Sequence, residues 1–346
     1  MRFAFRLICL GWLGLVCTCL YAQIQEPPIP LQLDGDPRPV QIPGRALLYS
    51  PQCDSQGAIY VRYSLDDQAH PGSMVRIESD GKTKNISPVA LADPAGDVHV
   101  FLFAAAGDDS LHEIVRLPTE AAEGDGATEE RYISFDEDGS LHTQVPFADQ
   151  FIPSMLVPLP SGDFFAAGVV LDSTNNGVSE GPIAGIFDSD ARLKRRLQNT
   201  PNGLVSVADA SPNNSAQTSL EGAVIQLGGD GNLYALLPGE ATRIDVVSQA
   251  GRVLRHMDLE QPFANAVADD MRLSGNRLLV VYEAEGGEGA TTAMYVLYDA
   301  QTGEVIRQYR PEFLGTVACF EDGQTVSVLV KKPSTGALAV GTAELE

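Results

Sequence analysis

Residues 224–258 read VIQLGGDGNLYALLPGEATRIDVVSQAGRVLRHMD, and their reading decides the fold. A hydrophobic run meets a turn at Gly231, and Leu233-Tyr234-Ala235-Leu236-Leu237 follows without a polar break. Arg243-Ile244-Asp245-Val246-Val247 then mixes charge into apolar positions. A polar turn at Ala250-Gly251 leads to Val253-Leu254-Arg255-His256, the most hydrophilic run of the unit. Short β-rich runs bounded by Gly and Asp are strands joined by hairpins. A strand with one face in water alternates; Leu233–Leu237 does not, so both of its faces are covered.

The same signal recurs at Gly57, Gly96, Gly162, Gly275 and Gly323. In five of the six units a second turn follows, at Gly81, Gly139, Asp190, Gly251 and Gly303. One kind of strand follows each first turn, Ala58–Val61, Val98–Phe103, Phe164–Ala167, Leu278–Tyr282 and Thr325–Val330 being the other five, and most of these are apolar at consecutive positions. The next strand carries more charge, as in Met74–Glu78, Glu113–Leu117 and Met294–Asp299, and the last is the most polar, as in Val305–Tyr309. No window holds a sustained helical period, and Gly and Pro punctuate nearly all of them. Burial that falls from second to fourth strand is what radial blades produce, with inner strands between neighbouring blades and outer strands in water.

On this repeat pattern the chain resembles the six-bladed β-propellers of secreted bacterial proteins, the broad group with TolB-like and NHL-like members, over roughly residues 29–346. Neither a WD signature nor a kelch double glycine is present. The resemblance implies an all-β fold of six four-stranded blades, closed by pairing of the N- and C-terminal strands. The domain division is then a signal over 1–22, an extended Pro-rich lead-in over 23–43 and one propeller over 44–346. The sixth unit stops one strand short, and Ile29–Leu33 is expected to supply it. Pro118–Glu130 and Thr200–Leu220 read as long loops, either of which has room for a seventh blade. Cys53 and Cys319 each lie four residues before a turn glycine, Gly57 and Gly323. That places them at equivalent points on the inner strands of the first and last blades, so a Cys53–Cys319 disulfide is expected.

Arg2 and Arg6 precede a run, Leu7–Leu20, that is almost wholly apolar, and Leu20-Tyr21-Ala22 suits a signal peptidase. The run falls short of the ~20 apolar residues of a membrane span. A cleaved signal and a secreted or periplasmic protein are expected; an uncleaved N-terminal anchor is the alternative. Cys9, Cys17 and Cys19 belong to this segment, leaving one cysteine pair for an oxidising compartment. Removing residues 1–22 takes away two arginines and no acid, so the formal charge moves from −23 to −25. Such a balance argues against nucleic acid and anionic membranes.

The carboxylates suggest an acidic loop face. Asp66, Asp67, Asp108, Asp109, Asp172, Glu180, Glu240, Glu283, Glu285 and Glu288 fall between second and third strands in this reading, with Asp149, Asp269 and Asp270 between blades. Within the set, Asp172, Asn176 and Glu180 form a candidate Ca²⁺ site. Asp172 to Gly177 resembles the start of an EF-hand loop, then departs from it with Thr174 at the third position and no Glu at the twelfth. The histidines share no metal-ligand spacing, and no nucleophile elbow, Walker loop or Cys-x-x-Cys occurs. The expected protein is a monomeric, non-catalytic exported scaffold that binds a protein, peptide or cation on its acidic face. The alternative is a metal-dependent hydrolase or lyase with its site at the central channel.

Overall fold

The computed structural model describes residues 27–42, 45–54, 56–64, 74–86, 99–118, 128–136, 140–148, 150–172, 178–200, 203–207, 220, 222–237, 239, 241–285, 291–331 and 337–345. Among them the chain forms strands and turns and no helix. Six sheets stand in a ring. From the axis outward, blade one is Arg45–Cys53, Ile59–Ser64, Met74–Ile77 and Thr83–Ile86, and blade two is His99–Ala105, Leu111–Pro118, Thr128–Phe135 and Leu141–Pro146. Blade three is Gln150–Pro158, Phe164–Asp172, Val178–Phe187 and Leu193–Thr200; blade four is Val224–Leu227, Leu233–Leu237, Arg243–Val247 and Val253–Asp258. Blade five is Val267–Ser274, Arg277–Glu285, Thr291–Asp299 and Val305–Pro311, and blade six begins with Gly315–Glu321, Thr325–Lys331 and Leu338–Glu344. The inner strands neighbour one another in chain order until Gly315–Glu321 meets Arg45–Cys53, which closes the ring at six blades.

The seams between blades explain the consecutive apolar runs. Tyr234 and Leu236 enter the seam between blades four and five. Leu233, Ala235 and Leu237, alternating with them, enter the seam between blades three and four. Leu278, Val280 and Tyr282 likewise face blade four, while Leu279 and Val281 face blade six. Each buried aliphatic or aromatic side chain contributes roughly 1.5–3 kcal/mol, against about 1 kcal/mol for a net hydrogen bond. The seams therefore outweigh the hairpin bonds. Between blades two and three the seam is aromatic: Tyr132 stacks on Phe164 at 4.1 Å and Phe164 on Phe187 at 5.5 Å, with Phe147 edge-on to both phenylalanines. Phe147 and Phe263, each in a Pro-Phe-Ala triplet, pack into seams as blade anchors.

Closure differs in detail from the expectation. Ile29–Leu31 does not complete blade six; it pairs in parallel with Val305–Pro311 as a fifth strand of blade five. Leu31 is buried in the seam between blades five and six, which fixes it there. The chain then crosses to blade six, where Arg38–Pro39 pairs antiparallel with Leu338–Glu344 and supplies the fourth strand. Asp34 and Val40 donate from their amides to Thr342 and Leu338 at 2.7 and 2.9 Å. Pro39 is tolerated because this is an edge strand, where a missing N–H costs no ladder bond.

Two further expectations change. Gly96 and Val98 lie outside the described residues; the first hairpin of blade two is Ala106–Ser110, and His99–Phe103 belongs to the inner strand, not the second. Thr200–Leu220 is not loop throughout, because Gly203–Val207 adds a fifth strand to blade three. Its Leu204 amide donates to Asp245, a fully buried carboxylate of blade four that His256 Nδ1 also meets at 2.7 Å. Gly203 has φ of 102°, and a Cβ there would stand 2.6 Å from Asp245 Oδ2 and 2.9 Å from His256 Nδ1. Gly203→Ala is therefore expected to cost about 1–3 kcal/mol, read as a lower urea midpoint; an unchanged midpoint would show that this strand does not bear on stability.

Candidate functional site: the central cavity and its mouths

The six inner strands surround a cavity of about 1490 Å³. Every blade contributes to its wall, and the space also runs outward beside blade three, along Ala167, Ala184 and Asn199. The wall is apolar over much of its length, with Leu102, Met155, Ile225 and Phe320, and is set with the amides Gln52, Gln198, Asn199 and Gln226. Its charged lining is four carboxylates, Asp269, Asp270, Glu321 and Asp322, against two guanidinium groups, Arg62 and Arg272; Asp54 also borders the space, but its carboxylate is fully buried against Arg76.

Cys53 and Cys319 are disulfide-bonded in this wall, with Cα atoms 5.8 Å apart. The bond joins the first and last inner strands. Extra residues bulge the inner strands of blades two, three, five and six at Phe101, Ser154, Asp269 and Ala318. Bulges bend a strand and free its carbonyls, and Arg272 exploits this. Its Nε and Nη2 donate to the carbonyls of Ala318 and Val317 on blade six at 3.0 and 3.1 Å, while Nη1 donates to Met271 O and to Asp270 Oδ1 at 2.8 and 2.6 Å. Burial raises the Asp270 carboxyl above its usual range, and the Arg272 charge opposes that shift.

The acidic groups divide between two faces. One carries the first and third hairpins of each blade, the other the second–third loops and the blade connections. Asp108 and Asp109, expected on the connection face, lie on the hairpin face, because the turn they occupy is a first hairpin. Among the described residues, Asp269, Asp270 and Glu283 remain at the connection face. Glu283 is pushed above its usual range by partial burial and by the neighbouring Asp269. Asp66, Asp67, Asp149, Asn176, Glu240 and Glu288 lie outside the described residues. Asp172 ends one strand and Glu180 lies in the next, but their side chains, like that of Glu285, are outside the description too. The Ca²⁺ expectation at Asp172, Asn176 and Glu180 therefore falls there. Among the described residues no three His, Cys, Asp or Glu side chains are grouped to hold a metal.

Most hairpin-face acids work inside the fold. Asp54 accepts from the Gln56 and Ala58 amides at 3.0 and 2.9 Å, from the Tyr60 hydroxyl at 3.1 Å, and from Arg76 at 3.0 Å. Asp230 accepts from the Asn232 amide and the Tyr234 hydroxyl at 3.0 and 3.1 Å. Asp163 holds Lys194 at 2.7 Å, and Glu321 holds Ser327. In blade two the link is a chain: Ser110 Oγ donates to Asp108 at 2.5 Å and lies 2.8 Å from His112 Nε2, and His112 Nδ1 lies 2.6 Å from the Tyr132 hydroxyl. Its donors run consistently from Tyr132 to Asp108 if His112 carries its proton on Nε2. Burial lowers the His112 pKa to about 4, so the ring stays neutral. In five blades, then, an acid in the first hairpin ties that turn to a later strand, which makes the Ser110–His112 pair a member of a structural series.

Glu113, expected in the charged third strand of its blade, lies in the second strand of blade two. It is fully buried, neither carboxyl oxygen has a hydrogen-bond partner, and burial raises its pKa to about 8.

No protein-family model and no curated protein matches the sequence. Among solved structures, a protein of unknown function from Bacteroides caccae matches at 13% identity over 75% of this chain and 80% of that one, with a TM-score of 0.43. The β-propeller domain of the Trilobed protease from Pyrococcus furiosus matches at 11% identity over 88% and 82%, with a TM-score of 0.45. Prolyl oligopeptidase B from Galerina marginata matches at 10% identity over 88% of this chain and 52% of that one, with a TM-score of 0.49, so this chain spans about half its length. At these values no residue, substrate or partner carries over to this chain.

Proposed function

We propose that this protein is a non-catalytic binding propeller that seats a cationic peptide segment of a partner in its central cavity. The observation that carries the reading is the lining around about 1490 Å³: Asp269, Asp270, Glu321 and Asp322 against Arg62 and Arg272, with Asp54 turned away into its pair with Arg76. Small-molecule pockets run to ~1,000 Å³, so this space suits several residues of polypeptide. Asp269 stands toward one mouth and Asp322 toward the other, so positive charge is favoured at both ends of the passage. Gln52 and Gln226 on the inner strands carry the paired donors and acceptors that a peptide backbone needs.

The test is fluorescence anisotropy with a labelled ten-residue peptide alternating Lys with Leu, beside one in which Glu replaces Lys. The cationic peptide is expected to bind, and to bind at least tenfold more weakly at 0.5 M salt than at 0.05 M. Asp269→Asn with Asp322→Asn should weaken it further. Equal binding of the two peptides, or binding of neither, would overturn the reading.

A further inference from the structure

We propose that the seam between blades one and two is a pH-responsive joint in the cavity wall, closed while Glu113 is protonated and loosened when it ionises toward Arg62. The geometry starts from the sheet. Glu113 lies opposite Phe103 on one neighbouring strand and Ile133 on the other, so the three share one face. Leu111, Val115 and Leu117 point the same way by the two-residue alternation of a strand. That face packs on Tyr60 and Met74 of blade one, with Ile86 at its edge. Glu113 thus sits in the middle of an apolar seam, fully buried, with both oxygens unpartnered.

A carboxylate cannot stay charged there at tolerable cost, but a carboxylic acid can. The groups facing it decide what ionisation would do. Phe103 and Ile133 carry no charge. Tyr60 has its hydroxyl on Asp54, and Arg76 is tied to Asp54 and Glu78. Arg62, two residues on from Tyr60 and so on the same strand face, and part of the cavity wall, is the ionisable group whose charge acts on Glu113. An ionised Glu113 is therefore drawn out of the seam and toward the cavity. Leucine at this position would seal the seam without any such response.

The sign follows from linkage. The folded-state pKa is raised, from 4.5 to about 8. Below 4.5 both folded and unfolded chains hold the proton, and the contribution to stability is complete. As pH rises from there through 8, the unfolded chain releases its proton first and the seam loses stability. The joint is thus firm in acid and looser in mild alkali. It does not depend on what the cavity binds.

Hydrogen exchange followed by mass spectrometry tests this on the full chain, with protection factors corrected for the pH dependence of intrinsic exchange. Between pH 6 and pH 9, protection of Ile59–Ser64 and Leu111–Pro118 is expected to fall at least about tenfold, while Leu233–Leu237 in blade four holds. Glu113→Gln and Glu113→Leu, two variants in case one folds poorly, should abolish the pH response. Unchanged protection in the native protein, loss spread evenly over all blades, or a variant that responds like the native chain would each overturn the proposal.

Discussion

Reduction of the Cys53–Cys319 bond is expected to lower the unfolding free energy by about 5 kcal/mol. The bond spans 266 residues of sequence. Cross-linking such distant points removes most of the end-to-end freedom of the unfolded chain, and this term grows with the logarithm of loop length. The folded ring should survive reduction, because the seam of Val61, Val75, Ala318 and Leu329 still joins blades six and one, and Arg38–Pro39 still caps blade six. Urea denaturation with and without a thiol reductant, repeated on Cys53→Ser/Cys319→Ser, measures the difference. A loss below about 1 kcal/mol would show that the strands close the ring unaided.

Replacing Arg272 by methionine is expected to cost about 3–5 kcal/mol, the usual range for removing one partner of a buried pair. Its fork reaches Val317 and Ala318 on blade six while holding Asp270 on its own blade. Without it, three carbonyls lose their donor and Asp270 loses its counter-charge. The deficit should depend on pH. The Asp270 pKa, already raised by burial, would rise further. A raised carboxyl pKa leaves stability intact in acid and withdraws it as pH climbs. The variant should therefore lie closer to the native protein at pH 4 than at pH 7 in urea denaturation. Arg272→Lys should recover only part of the loss, since one ammonium cannot span three carbonyls and a carboxylate. A deficit below about 1 kcal/mol, or one that does not grow with pH, would refute the account.

The ring was legible in the sequence because its second strands must be apolar on both faces, and Leu233–Leu237 or Leu278–Tyr282 show that without ambiguity. The hairpins were legible where glycine takes positive φ, as at Gly57, Gly162 and Gly231. Blade two departs for the same reason in reverse: the positive φ of its first hairpin, 65°, falls on Asp109, a conformation aspartate tolerates, and not on the nearby Gly107. The acidic composition was visible, but not its use. An aspartate that satisfies turn amides cannot be told from one that waits for a ligand until its bonds are seen, as at Asp54 and Asp230. Arg272 was hidden because its acceptors are carbonyls freed by a bulge in another blade. Glu113 was closer to legible, being in phase with Leu111, Val115 and Leu117 on one strand face.

The N-terminal strap has a consequence for synthesis. Ile29–Leu31 finds its partner at Tyr309–Pro311, and Arg38–Pro39 at Ala339–Val340. At ~5–20 residues per second, roughly 15–60 s separate the emergence of these partners. During that time Leu31 and Val40, both buried in the finished ring, have no native site to occupy. Blades one to five can form as the chain appears, yet the last step must recruit the oldest segment. Such distant pairing folds slowly, so the nascent protein stays an open arc until its final strands arrive.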